Sequence, residues 1–299
     1  MNLLLSTNMY SADTFPRVER YLDWYEELEE AGSAGASVGR RSLKPDAGAA
    51  ELEEKSAVRL GVEVFPLFHD QAFEGRLKAL VPQLSKVPIT FHEPYYKAEN
   101  TAEKGSVEYW RTTDYFRRTL DYAAMLDAGH IVFHHNNCRV DKKSPEEKQE
   151  LLERACERYR FYEELAEPYG IPILAENVGV LSRGNVLLDQ NSFERLCEKE
   201  DYPVLIDIGH AHANGWDLTR LMRDLKDRFC AYTLHNNDGR QDSHRRIHDG
   251  TLDFDKFMDA LRENGKDTDL VLEYSAEVEP DEEGIREDIT EMMRRLEQQ

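Results

Sequence analysis

The side chains best able to do chemistry together lie in one stretch, AYTLHNNDGRQDSHRRIHDGTLDF, at positions 231–254. A short apolar run opens this stretch, and a dense set of imidazoles and carboxylates follows it: His235, Asp238, Asp242, His244, His248 and Asp249. Carboxylates packed this closely repel one another unless positive charge lies among them, and a divalent cation is the simplest source of that charge. The alternative is a solvent-exposed polar loop that binds no metal. The remaining strand ends are needed to distinguish the two.

The segments that would position these residues alternate in type along the chain. Short apolar or β-branched runs alternate eight times with longer segments whose apolar residues recur three or four positions apart, which predicts strands and helices in turn. The predicted strands are 2–7, 61–66, 87–91, 130–133, 171–175, 203–206, 231–234 and 270–272. The predicted helices include 15–30, 50–60, 71–84, 107–128, 144–169 and 281–296, and 31–48 is predicted to be a loop.

This alternation predicts parallel strands joined by right-handed crossovers. Eight units in 299 residues fit a single closed (β/α)8 TIM barrel, which needs about 250 residues, better than an open sheet. We find no Pro- or Ser-rich linker, so one domain is predicted over 1–299. No GxGxxG motif follows the first strand, and a dinucleotide-binding fold therefore has no local support.

Most of the predicted strands end in a side chain that can bind a metal ion. Since the C-terminal strand ends form the active-site face of such a barrel, six of these side chains should meet: His92, His134, Glu176, Asp207, His235 and Glu273. His210 follows Asp207 by three residues and can turn toward the same centre. One strand-end histidine is usually structural, but six such coincidences indicate a shared site. The mixture of His, Asp and Glu without thiolate suits Zn²⁺, Mn²⁺, Mg²⁺ or Co²⁺.

Composition limits the expected partners and compartment. The chain has 38 Lys and Arg against 59 Asp and Glu, a formal net charge of −21, which disfavours non-specific binding to nucleic acid or anionic membranes. The four cysteines are scattered without a CxxC motif, which indicates free thiols in a reducing compartment. The start of the chain has no signal-peptide pattern, and no apolar run approaches the roughly 20 residues of a membrane span. We therefore expect a cytoplasmic protein and leave its oligomeric state open, with a homo-oligomer among the options.

Four segments resemble the xylose isomerase-like barrel superfamily: FHEPYY (91–96), LAENVG (174–179), LIDIGHAHANG (205–215) and LHNNDGRQDSHRRIHDGTLDF (234–254). The last segment matches the superfamily pattern His-x-x-Asp, then Asp-x-His, then Gly-x-(Ile/Leu)-Asp-(Phe/Trp). The superfamily includes sugar and sugar-phosphate isomerases and epimerases, and AP endonucleases of family 2, the endonuclease-four type. The resemblance covers nearly the whole chain and implies a xylose isomerase-like TIM barrel.

The two branches of the superfamily imply different metal sites. The isomerase and epimerase branch implies one divalent metal bound by Glu176, Asp207, His235 and Glu273, with His210 contacting the substrate. The endonuclease branch implies three zinc ions, and the nine matching ligand positions are His92, His134, Glu176, Asp207, His210, His235, Asp242, His244 and Glu273. Two positions depart from the relatives. Ser182 replaces a second glutamate of the free-ketose epimerases, and residues 248–250 read His-Asp-Gly instead of Gly-Glu-Gly.

The main functional hypothesis is a metal-dependent isomerase or epimerase that acts on a sugar, sugar phosphate or related polyol ketone. Glu176 and Glu273 would transfer the proton next to the carbonyl group. The expected substrate contacts are His210, Arg183, Arg240 and Trp216, because arginine suits oxyanions and aromatic rings can stack on sugars. Two alternatives stay open, a three-zinc AP endonuclease and a non-catalytic barrel that binds a sugar or a metal.

Overall fold

The computed structural model describes residues 1–38 and 58–298, with the side chains of 29–38 excepted. Eight parallel strands in this part of the chain close into a barrel in chain order. They are β1 (Asn2–Ser6), β2 (Arg59–Val64), β3 (Ile89–His92), β4 (Ile131–Phe133), β5 (Ile173–Glu176), β6 (Val204–Asp207), β7 (Phe229–Leu234) and β8 (Asp269–Leu272). β8 also pairs with β1, so no edge strand remains in this barrel. The predicted (β/α)8 TIM barrel is confirmed.

Helices follow the strands and surround the barrel. They are α1 (Glu19–Val38), α2 (Phe73–Leu84), α3 (Val107–Met125), α4 (Pro145–Ala166), α5 (Gln190–Glu200), α6 (Ile208–Ala213), α7 (Leu218–Asp224), α8 (Phe254–Asn264) and α9 (Glu282–Glu297). The start signal of α4 is a complete capping box, in which Ser144 and Glu147 each accept a hydrogen bond from the other's backbone N–H. Among the described helices, none combines the length and apolar character that crossing a membrane requires.

Two predictions in the first third of the chain are wrong in part. Residues 31–38 continue α1 and are not a loop, because Ala and Ser are tolerated in a helix and each Gly costs only about 1 kcal/mol there. Arg59 and Leu60, predicted to end a helix, belong to β2, where Leu60 pairs with Leu3 of β1. The remainder of the predicted loop and helix, from 39 to 57, lies outside the described residues.

The strands separate two apolar regions. Their outward side chains, such as Leu5, Val62 and Phe91, pack against the helices in the larger core. The barrel interior holds a small apolar plug of Val132, Leu174, Leu205 and Ala231. The barrel is therefore filled below its C-terminal end, as side-chain layers fill other barrels of this size.

The plug also determines where the polar strand ends point. Side chains alternate between the two faces of a strand. The interior residues that follow Val132, Leu174 and Leu205 are therefore two positions further on, and in each case that residue is a predicted metal ligand: His134, Glu176 and Asp207. The same register that buries the plug thus turns these ligands into the barrel mouth.

Two glycines provide a matched test of the barrel. In Gly61→Ala, the new Cβ would overlap the carbonyl oxygen of Pro88, which accepts a hydrogen bond from Val62 where β2 meets β3. We expect a loss of about 1–3 kcal/mol in the free energy of unfolding, measured by urea denaturation. Gly75→Ala in α2 meets no atom within 4 Å and should stabilise the protein by about 0.5–1 kcal/mol. Equal stability of the two variants would contradict this account of the β2–β3 contact.

Candidate metal centre

The predicted ligands surround a cavity of about 210 Å³ at the C-terminal ends of the strands. Seven of them line it: His92, His134, Glu176, His210, Asp242, His244 and Glu273. Asp207 and His235 are fully buried next to them. A larger groove of about 830 Å³ runs along α9, but it is open and none of the predicted site residues lines it.

Three groups of possible ligands form in this cavity, and the ligand atoms within each group lie within 4.8 Å of one another. The first group is His92, His134 and Glu176. The Nε2 atoms of His92 and His134 are 3.0 Å apart, and His134 Nε2 lies 2.9 Å from Oε2 of Glu176. Two imidazoles and a carboxylate oxygen therefore converge on one point where β3, β4 and β5 end.

The second group is Glu176, Asp207 and His210. His210 Nδ1 lies 3.3 Å from Oε1 of Glu176 and 3.6 Å from Oδ2 of Asp207. Glu176 thus faces the first group with one oxygen and the second group with the other. This carboxylate can bridge two cations.

The third group is His210, His235, Asp242 and His244. Oδ1 of Asp242 lies 3.3 Å from His210 Nε2, 3.0 Å from His244 Nε2 and 4.0 Å from His235 Nε2. His235 Nε2 also lies 3.0 Å from Asp207 and so joins this group to the second one. The loop between β7 and α8 therefore contributes ligands to the same centre as the strand ends.

Glu273 lies beside these groups on the loop that follows β8. Its Oε1 accepts a hydrogen bond from Nδ2 of Asn8 at 3.0 Å and is 3.5 Å from Nδ1 of His244. Burial raises the pKa of Glu273 to about 7, and the charge of Glu176 adds to the rise. A glutamate with this pKa can hold or release a proton near neutral pH.

The donor set fits one or more divalent cations. His210 Nδ1, His235 Nδ1 and Asp242 Oδ1 are buried without a well-aligned hydrogen bond among the described residues, although Glu176 lies 3.3 Å from His210 Nδ1 and His244 lies 3.0 Å from Asp242 Oδ1. Buried polar atoms are normally paired, so these atoms indicate a missing positive partner at the centre. Imidazole nitrogens and carboxylate oxygens without a thiolate are a set that Zn²⁺ or Mn²⁺ accepts.

Protons provide the positive charge in the metal-free protein. Burial lowers the pKa of His134 and His244, but adjacent carboxylates outweigh it and raise both values to about 9. Burial raises the pKa of Glu176 and Asp242, yet the neighbouring imidazoles hold both carboxyl groups well below their usual range. The centre is therefore a set of carboxylate–imidazolium pairs whose protons a cation would replace.

Backbone and amide groups hold the ligands in place. Asn177 and Asp207 exchange two hydrogen bonds between β5 and β6, of 2.9 and 2.8 Å. Glu93 accepts the backbone N–H of His134 at 2.9 Å, and Asn100 donates to both of its oxygens. The sequence analysis missed Asn177, Glu93 and Asn100. Glu93 and Asn177 directly follow a predicted ligand, which is the only signal that the sequence offered.

The sequence analysis also missed Glu63, which is fully buried one residue before the end of β2. Both of its oxygens lack a hydrogen-bond partner among the described residues. Burial raises its pKa well above the usual value, and the charges of Glu273, Glu176 and Asp207 raise it further. Burial therefore favours the protonated form of Glu63 inside the barrel. A carboxylate in the otherwise apolar run GVEVFP was the available signal.

The predicted substrate contacts occupy different places. His210 and Arg183 line the cavity. Trp216 packs near Phe193, with ring centroids 6.1 Å apart, and lines a separate small void. Arg240 is exposed and is not among the residues that line the cavity. The structure thus brings two of these four residues to the candidate centre.

Metal binding should release protons. Since His134 and His244 have pKa values of about 9 and bind metal only when neutral, Mn²⁺ or Zn²⁺ must displace their protons at pH 7. We expect the affinity to rise from pH 6 to 9 and to level off above that range. Calorimetric titrations in buffers of different ionisation enthalpy measure the released protons. An affinity for Mn²⁺ or Zn²⁺ that does not change with pH would contradict the protonation of His134 and His244 at neutral pH.

The place of His235 depends on the absence of a side chain at Gly209. A Cβ at Gly209 would overlap the imidazole ring of His235. We expect Gly209→Ala to displace that ring and to lower the affinity for Zn²⁺ at least about tenfold, within the 10–100-fold range for residues that orient ligands. Metal content by mass spectrometry and a Zn²⁺ titration test this, with Gly75→Ala as the control. Unchanged Zn²⁺ affinity would show that His235 is not a ligand.

Comparisons with known proteins agree with this geometry. The family model described as xylose isomerase-like TIM barrel matches residues 49–296. An uncharacterised protein of Methanocaldococcus jannaschii is 24% identical over 193 residues, which are 63% of this chain and 64%, just under two thirds, of that relative's length.

Two solved structures share the fold at low sequence identity. A D-tagatose 3-epimerase-like protein has a TM-score of 0.66 and 20% identity, with 79% of this chain and 88% of that chain covered. An AP endonuclease of family 2 from Brucella melitensis has a TM-score of 0.59 and 16% identity, with 92% and 95% covered. The family match over most of the chain, on a closed eight-stranded barrel, shows that the protein belongs to the xylose isomerase-like TIM barrel family.

Proposed function

We propose that the protein is a divalent-metal-dependent isomerase or epimerase of a small carbohydrate or related polyol ketone. One observation carries the proposal. Glu176 and Glu273 are two buried glutamates that line one cavity from the ends of β5 and β8, beside the groups of possible metal ligands. Burial raises the pKa of Glu273, whereas the neighbouring imidazoles lower that of Glu176, which agrees with an acid and a base in one site.

The two glutamates can divide the proton transfer between them. Glu176, which the neighbouring imidazoles keep ionised, takes the proton from the carbon next to the carbonyl group. In an epimerisation, Glu273 gives a proton to the opposite face of the same carbon, and Asn8 donates a hydrogen bond to its Oε1. A divalent cation held by Glu176, Asp207, His235 and Glu273 would act as a Lewis acid toward the substrate oxygens, although Glu273 belongs to none of the three ligand groups.

The volume of the cavity favours a small substrate. Its volume of about 210 Å³ is below the roughly 300–1,000 Å³ of pockets for drug-sized ligands. Phe65, Tyr95 and Tyr96 form one aromatic side of it, with ring centroids 5.4 to 6.4 Å apart. Such a side offers apolar faces to the C–H groups of a sugar and limits the access of water. The family membership and the similarity to an epimerase-like structure support the same class of reaction.

Hydrogen exchange with solvent tests this proposal. A panel of ketoses and ketose phosphates is incubated with the Mn²⁺-loaded protein in D₂O. We expect carbon-bound deuterium in substrate or product. Glu176→Gln and Glu273→Gln should each slow its incorporation at least about 10²-fold, as for a positioned acid or base. Glu153→Gln, an exposed residue of α4, is the matched control. Product without deuterium would indicate a hydride shift, and no conversion of any panel member would overturn the assignment.

A second candidate function is hydrolysis of the DNA backbone at an abasic site, and one observation favours it. The three ligand groups share Glu176 and His210, so three cations could lie close together, as the endonuclease branch of the superfamily requires. The net charge of −21 opposes binding to a phosphate backbone. A duplex with one abasic site decides between the two, since strand scission that EDTA abolishes would favour the endonuclease.

A further inference from the structure

One arginine lies at the mouth of the metal cavity. Arg183 ends a short 3-10 helix, Leu181–Arg183, in the loop after β5. Apart from the histidines, it is the only basic side chain among the described residues that line the cavity. Half of its side chain is exposed, so the guanidinium borders both the acidic centre and the solvent from which a substrate enters.

Asp242 alone holds the Arg183 guanidinium among the described residues. Nη1 lies 2.8 Å from Oδ2 of Asp242, and Nη2 donates to the backbone carbonyl oxygen of Asp242 at 2.9 Å. These contacts use two of the five N–H donors of an arginine. Three donors remain, and they are attached to a group whose orientation is already fixed. A donor set with a fixed orientation binds an oxyanion with little further loss of entropy.

A tyrosine adds a further donor to the same region. Tyr96 lines the cavity and is 43% exposed. Burial raises the pKa of the Tyr96 phenol, and the charges of Glu273 and Arg183 act on it in opposite directions. The phenol therefore stays protonated at neutral pH. It can donate a hydrogen bond to a substrate oxygen.

The charge balance of the centre agrees with an anionic substrate once cations are bound. Glu176, Asp207, Asp242 and Glu273 carry four formal negative charges when ionised, and Arg183 carries one positive charge. One divalent cation leaves a formal charge of minus one, whereas two cations raise it to plus one. The described ligand groups offer places for more than one cation. A loaded centre with two ions would attract an anion.

We propose that Arg183 and Tyr96 form an oxyanion subsite, so that the substrate is a carbohydrate with a phosphate or carboxylate group. This inference rests on the proposed function, because it names the substrate class of that same site. The anionic group lies at the mouth against the free N–H donors of Arg183. The carbonyl end of the carbon chain points inward to Glu176 and Glu273. Both ends fit only when the chain is short, as the cavity of about 210 Å³ requires.

The competing role for Arg183 is structural. Its contacts with Asp242 could serve only to hold that ligand for a cation. The two roles differ in what a substitution changes. A structural role affects the amount of bound metal, whereas an oxyanion subsite affects the preference for charged over neutral ligands at constant metal content.

The experiment compares charged and neutral probes on the Mn²⁺-loaded protein. Calorimetry measures the binding of inorganic phosphate, D-ribulose 5-phosphate, D-fructuronate and D-ribulose, and mass spectrometry measures the Mn²⁺ content. We expect the phosphorylated or the carboxylated sugar to bind at least about tenfold more tightly than D-ribulose, since a hydrogen bond to a charged group is worth about 1.5–3 kcal/mol. Which of the two gains more identifies the anion.

Three variants separate the roles of Arg183. Arg183→Gln should remove the preference and weaken phosphate binding while keeping the Mn²⁺ content. Arg183→Lys should keep part of the preference for charged sugars, because lysine retains the positive charge but lacks the paired N–H donors of the guanidinium. Arg223→Gln, an exposed arginine of α7 that is 68% exposed, is the control and should behave as the unaltered protein.

Several outcomes would overturn the subsite. These are equal binding of charged and neutral sugars, an unchanged preference in Arg183→Gln, or a preference lost only together with the Mn²⁺. The proposed function fails separately. A strong preference for the charged sugar without conversion of any sugar in the panel would support the subsite and refute the isomerase.

Discussion

Four carboxylates are buried together in this barrel, and their charges must be compensated. Glu176, Asp207, Asp242 and Glu273 are buried at one end of the barrel, where an unpaired ionised carboxylate would cost several kcal/mol. His134, His210 and His244 lie between them and carry raised pKa values. His134 and His210 face Glu176 from other strand ends, and His244 faces Asp242 of its own loop and Glu273 after β8, so the full balance of charge requires the closed barrel.

The loop after β7 has to hold its ligands against unfavourable backbone geometry. His244 has a φ of 43°, a left-handed conformation that is uncommon for a residue other than glycine. Its carbonyl oxygen accepts the N–H of Ser275, and the next residue, Arg245, pairs its backbone with Asn236. One position further on, Arg246 forms two hydrogen bonds of 2.9 Å with Asp288 of α9. The loop is therefore tied to a helix and to two strand ends before any cation binds.

The same network links the centre to the outer helices. Tyr274 follows Glu273 and donates to the carboxylate of Asp288 at 2.8 Å, so that one aspartate holds the loops after both β7 and β8. Glu63 lies inside the barrel near the ligand carboxylates, and burial together with their charges raises its pKa well above the usual value. Burial thus favours the protonated form of this further acidic group, which limits the negative charge at the centre.

The amino-acid sequence alone determined the barrel and the set of ligands, because both depend on local periodicity. Eight apolar runs predicted the strands, and a polar residue at the end of six of them predicted the shared face. Boundaries were less certain. The pattern of 31–38 could not show that α1 continues, since hydrogen bonding along the helix outweighs the weak preference of Gly and Ser for loops.

The grouping of the ligands and the choice of the arginine that faces them depend on tertiary contacts. Glu176 directs one oxygen to His134 and the other to His210, and no spacing in the chain encodes that division. Arg183 and Arg240 have equal chemistry and similar loop contexts, yet only Arg183 lines the cavity, where Asp242, 59 positions later, holds it. Such contacts follow from the closure of the barrel, which places residues far apart in sequence within a few ångströms of one another.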